Sequence, residues 1–122
     1  MAKTVPEVVE KFMRYVRVDT QSAYVDPSGP MKHPTTEKQL NLARMLAQEL
    51  KDMGAADVEI DDYGVTWGTL PANVEGAPII GFCAHIDTTP EVCGTDVKPR
   101  LWENYDGGDL VLNQDRNIVF SP

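Results

Sequence analysis

Apolar residues recur along the chain at helical spacing, then in alternation, and once as an unbroken run. Val8, Val9, Phe12, Met13, Tyr15 and Val16 share one face of a helix expected to reach about Val18, because positions three and four apart lie on one side of a 3.6-residue turn. Thr4-Val5-Pro6-Glu7 has the form of a capping box before it, with Pro6 in a first turn whose amide needs no helical partner. Leu42, Ala43, Leu46, Leu50 and Met53 form the stripe of a second, stronger helix, opened by a capping box at Thr36-Glu37-Lys38-Gln39 and stopped at Gly54. Val58-Glu59-Ile60 and Val65 to Leu70 alternate as strands and predict a hairpin around Asp61-Asp62-Tyr63-Gly64. Leu110-Val111-Leu112 and Ile118-Val119-Phe120 are further short strands. The stretches 19–34 and 91–109 are rich in turn residues and read as loops.

The unbroken run is Pro78-Ile79-Ile80-Gly81-Phe82-Cys83-Ala84-His85-Ile86-Asp87, followed by Thr88-Thr89-Pro90. A continuous apolar segment bounded by turn residues predicts a strand buried on both faces. Its polar end is the anomaly. Strand side chains alternate, so His85 and Asp87 fall on the same side, at the carboxyl end where open α/β sheets place their ligands. Taken alone, the triplet favours a structural, hydrogen-bonded histidine. Thr88 and Thr89 read as the cap of the strand. The expected architecture is α/β, with two helices packed on a mixed sheet of about five strands whose central member is Pro78–Asp87.

Composition narrows the function. At 122 residues the chain is the size of one domain. Eleven Lys and Arg against 19 Asp and Glu give a net charge of −8 without a basic run, which argues against nucleic acid or an anionic membrane as partner. The opening residues lack the apolar core of a signal peptide and no stretch approaches a membrane span, so a cytoplasmic protein is expected. Cys83 and Cys93 are read as reduced thiols. Cys83 shares a face with His85, and a buried small side chain is preferred to a third metal ligand. His33, between Lys32 and Pro34, is read as solvated, and Trp67 and Trp102 as core or rim aromatics.

The string Gly81-Phe82-Cys83-Ala84-His85-Ile86-Asp87-Thr88 resembles the first metal-ligand strand of the co-catalytic zinc exopeptidases. Three further blocks resemble the peptidase T type of tripeptide aminopeptidase within that family: Val18-Asp19-Thr20-Gln21-Ser22, Thr69-Leu70-Pro71-Ala72-Asn73 and Glu103 to Asp109. The resemblance implies release of the amino-terminal residue from tripeptides by a site with two zinc ions, which polarise the scissile carbonyl and activate a water. It implies His85 as a metal ligand. It implies Asp87 as the member of the catalytic machinery that holds the imidazole, through its carboxylate or by way of its backbone. It also implies that residues 1–122 match the amino-terminal portion of the catalytic domain only. The remaining ligands, the general base and the lid domain used for dimerisation are expected in sequence absent here, leaving this chain inactive alone and prone to self-association. Two other readings stand beside it: a self-contained binding or assembly module on the same fold, and a related zinc dipeptidase or deacylase.

Overall fold

Helix α2 (Gln39–Asp52) is the element against which the best-buried part of the molecule packs. In the computed structural model, which describes residues 5–30 and 32–122, it follows helix α1 (Glu7–Tyr15) and precedes strands β1 (Ala56–Ile60), β2 (Thr66–Thr69), β3 (Leu110–Asn113) and β4 (Ile118–Phe120). β1 and β2 form one antiparallel pair and β3 and β4 another. No helix among the described residues is long and apolar enough to cross a membrane.

Helix α2 ends as its sequence dictates. Gly54 takes a left-handed φ of 85°, the Ala55 amide donates to the Leu50 carbonyl at 2.9 Å and the Gly54 amide to Lys51 at 2.9 Å, a Schellman closure that satisfies orphan carbonyls. The chain then turns directly into β1. The β1–β2 turn is closed by the Asp61 amide donating to Val65 at 3.0 Å, and the Asp61 carboxylate accepts the Tyr63 and Val65 amides at 2.9 Å. This hairpin lies on α2, where Leu42, Ala43 and Ala47 are the buried apolar residues. The Thr66 hydroxyl donates to the Ala43 carbonyl at 3.3 Å, joining the two elements. Gly68 allows the close approach within the hairpin: a Cβ there would stand 3.0 Å from Val58 Cγ2 and 3.3 Å from Ala55 Cβ. Helix α1 reaches α2 through Arg14 and Tyr15, which both donate to the Glu49 carboxylate.

Several expectations are corrected. The second capping box does not form, because the Thr36 hydroxyl donates to the Gln21 carbonyl at 2.8 Å and the Gln39 amide takes the Thr36 backbone carbonyl instead. Thr4 lies outside the described residues, and Pro6 caps α1 from outside the helix, which closes at Tyr15 rather than Val18. Among the described residues there are four strands in two separate antiparallel pairs, rather than about five in a mixed sheet. Pro78–Asp87 is not a strand: Ile79 is 101% exposed, Phe82 96% and Ile80 72%. A strand buried on both faces needs a neighbour along each edge to satisfy its backbone groups. Among the described residues only 20–22 come alongside, and only at Thr88. Trp102 carries a cation on its face: the Arg100 guanidinium lies 4.8 Å over its ring and donates to the Leu112 carbonyl at 2.6 Å.

The small core makes α2 the sensitive element. Leu42→Ala is expected to lower unfolding stability by about 2–5 kcal/mol, the range for truncating a buried leucine, read as a shift of the urea midpoint at unchanged slope. A variant within about 0.5 kcal/mol of the parent, the spread of ordinary surface substitutions, would mean that Leu42 is not a packed core residue.

Candidate functional site

The site is built where two loops meet. Thr88 forms a parallel bridge with Gln21: its amide donates to the Thr20 carbonyl at 3.2 Å and its carbonyl accepts the Ser22 amide at 2.9 Å. These two bonds fix the residues on either side of the bridge, Asp87 on one segment and Ser22 on the other, within reach of each other. Thr20, at the centre, is 3% exposed. Thr88 therefore acts through its backbone, pairing with the earlier loop rather than capping a strand.

His85 Nδ1 lies 2.9 Å from the Asp87 backbone carbonyl and 3.3 Å from its carboxylate. Both partners are acceptors, so in the neutral ring Nδ1 carries the proton and Nε2 the lone pair. Asp87 thus engages the ring through backbone and side chain together. Its other carboxylate oxygen accepts the Ser22 hydroxyl at 2.5 Å. That bond, first, and the His85 ring hold the Asp87 carboxyl below its ordinary range, although partial burial pushes the other way. The imidazole stands open, with its side chain 83% exposed against 46% for Asp87. Behind the pair runs an apolar groove of about 560 Å³ between the helices, with Phe12, Tyr15, Val16, Leu42 and Leu46 along its walls and Ala84 to Thr88 along its rim.

A second cluster secures the first. The Asp19 carboxylate receives Lys38 Nζ at 2.9 Å, the Gln21 amide at 3.0 Å and the Thr95 hydroxyl at 2.8 Å. The Gln21 side-chain amide donates to the Pro90 and Val92 carbonyls at 3.0 and 2.8 Å. Loop 90–95 is in this way fastened to the 19–21 loop and to the start of α2. Gly94 permits it, because a Cβ there would stand 2.9 Å from the Asp19 carboxylate. Lys38 foremost, then the Gln21 amide and Thr95, bring the Asp19 pKa from 3.8 to about 2.

The predicted pair His85 and Asp87 is brought together, and Cys83 is not part of it. Cys83 is exposed, against the expectation of a buried side chain, as is Cys93, and both are free thiols. His33 stands beside Tyr63, with ring centroids 6.4 Å apart. Among the described residues no three His, Cys, Asp or Glu side chains cluster closely enough to hold a metal ion. The donor chemistry fits a single imidazole ligand with its carboxylate partner. Ser22 and Asp19 lie in the Val18 to Ser22 block that carries the resemblance, but no spacing rule gives them a part in the site.

Asp19 sets a pH dependence. Its folded-state pKa lies below the unfolded value, so its contribution to stability is complete above pH 3.8 and disappears as pH falls through about 2. The gap in urea midpoint between the parent chain and Asp19→Asn is expected to close across that window. A gap that stays constant with pH would remove Asp19 as the group responsible.

Comparison with known proteins adds the family context. No protein-family model matches the chain. A protein named peptidase T from Geobacillus thermodenitrificans is 50% identical over 117 residues, covering 95% of this chain and 28% of that protein. Peptidase T from Desulfitobacterium hafniense is 52% identical over 116 residues, 94% of this chain and 27% of its own length. Peptidase T from Clostridium acetobutylicum is 47% identical over 117 residues, 95% and 28%. Nearly the whole chain is therefore similar to peptidase T, of whose length it spans a little over a quarter.

Proposed function

We propose that these residues form the amino-terminal part of a zinc-dependent aminopeptidase of the peptidase T type, acting on tripeptides, with His85 as a metal ligand and Asp87 as the group that orients it. The observation that carries the reading is the engagement of His85 Nδ1 by Asp87, which leaves Nε2 as the donor. A ligating imidazole is commonly fixed in this way through its second nitrogen. The similarity to peptidase T over 95% of the chain supports the same assignment.

Zinc, when bound, supplies Lewis acidity toward a peptide carbonyl and toward a water. The part played by this chain is narrower. Asp87 keeps the Nδ1 proton in place, and the bridge at Thr88 keeps Asp87 in place. One imidazole and one supporting carboxylate do not complete a two-metal site, where each zinc takes three or four ligands. In this reading the other ligands and the general base come from the part of a peptidase T that the matched quarter does not span, and the 122 residues alone do not turn over substrate.

Zinc content and hydrolysis of a simple tripeptide, measured on the chain and on His85→Ala, test this. Weak zinc binding that His85→Ala abolishes, with no hydrolysis by either chain, is the expected result. Tight binding of two zinc ions with His85-dependent turnover would overturn the incomplete site, and zinc binding indifferent to His85 would overturn its role as ligand.

We also propose that the chain associates with itself through the exposed run at Ile79, Ile80 and Phe82, since contiguous exposed apolar side chains favour burial against one another. Sedimentation is expected to show mass rising with concentration, and Phe82→Ser to reduce it. A sharp monomer at every concentration would exclude the association.

A further inference from the structure

Ser22 is placed for a task that the proposed reaction does not by itself assign to it. Its hydroxyl sits 2.5 Å from one oxygen of the Asp87 carboxylate, while the other oxygen faces His85 Nδ1 at 3.3 Å. The direction of the first bond is fixed by its surroundings. Gln39 Nε2 points at the Ser22 oxygen from 3.5 Å and at the Thr35 hydroxyl from 3.0 Å. An amide NH₂ only donates and an ionised carboxylate only accepts, so the Ser22 hydroxyl gives its proton to Asp87. Gln39 is itself 7% exposed at the start of α2, and the Ser22 amide is tied to the Thr88 carbonyl at 2.9 Å. The hydroxyl is thus presented from a fixed backbone, backed by a buried side chain.

We propose that Ser22 is a positioning residue: its hydroxyl locks the Asp87 carboxylate in the rotamer that faces the His85 ring, and so holds the imidazole with Nδ1 protonated and Nε2 free for a metal. A carboxylate with one oxygen anchored cannot swing away from the ring without breaking a short, charge-assisted bond. Without that anchor the backbone carbonyl of Asp87 alone retains Nδ1–H. The ring then exchanges more freely with the tautomer protonated on Nε2, which cannot ligate through that atom. The zinc consequence rests on the reading of His85 as a ligand, whereas the tautomer consequence does not.

The test uses the 122-residue chain labelled with ¹⁵N-histidine. It carries two histidines, so His33 is an internal reference. Long-range ¹H–¹⁵N spectra at a pH where both rings are neutral report the tautomer of each. The parent chain is expected to hold His85 as the Nδ1–H form. In Ser22→Ala that form should lose population to Nε2–H, with His33 unchanged, and zinc followed at the His85 signals should bind about three- to tenfold more weakly, less than the loss typical of removing a ligand's direct partner. Ser22→Thr should restore both readouts. If Ser22→Ala fails to fold, Ser22→Thr and Ser22→Val, which match in shape and differ in the hydroxyl, make the same comparison. An unchanged His85 tautomer in the hydroxyl-less variants overturns the proposal. A shifted tautomer with zinc binding that ignores both Ser22 and His85 sustains the positioning of the ring and overturns its role as a ligand.

Discussion

The site depends on two backbone hydrogen bonds, Thr88 amide to Thr20 carbonyl and Ser22 amide to Thr88 carbonyl. Without them the chain around His85 has no register against anything else, because residues 78–86 join no sheet. With them, Asp87 and Ser22 face each other, and the imidazole has a fixed partner. The Asp19 cluster serves the same purpose one step out. It ties the 19–21 loop to Lys38 at the head of α2 and to Thr95 beyond the site, so the bridge is held from both sides. Charge-assisted bonds of this kind keep their value where exposed ion pairs lose it, because several donors share one carboxylate.

Much of this was legible in the residues. Periodicity located both helices, Gly54 marked the end of α2, and the alternation on either side of Asp61 to Gly64 gave the first hairpin. The apolar triplets at 110–112 and 118–120 gave two further strands, but not their pairing with each other. Local signals of this sort depend on neighbours a few residues away, and those neighbours are present. The pairing of His85 with Asp87 was also legible, since two positions of separation is enough to bring the side chains together.

What misled the reading was non-local. The Pro78–Asp87 run has the composition of a central strand, but composition states only that such a segment suits burial, and the partners that would bury it have to come from elsewhere. Cys83 was expected inside for the same reason and stands exposed with the rest of the run. The capping box at Thr36 failed because a carbonyl fifteen positions earlier, that of Gln21, competed for the hydroxyl. Ser22 was invisible as a site residue because its partner lies 65 positions away, and no one-dimensional spacing reports that.

The distance between the hairpin and the bridge carries a consequence for how the site tolerates change. His85 is placed by residues 20–22 and 87–88, whereas the β1–β2 hairpin is fastened to helix α2, through the Thr66 hydroxyl on the Ala43 carbonyl. The intervening residues, from the end of β2 at Thr69 to Thr88, act as a tether whose ends are fixed independently. Doubling the length of a flexible tether costs only about 0.6 kcal/mol in closure entropy. Insertions or deletions around residues 71–77 therefore leave both the core and the imidazole geometry in place, so that length in this segment is free to drift while the residues that meet at Thr88 are not.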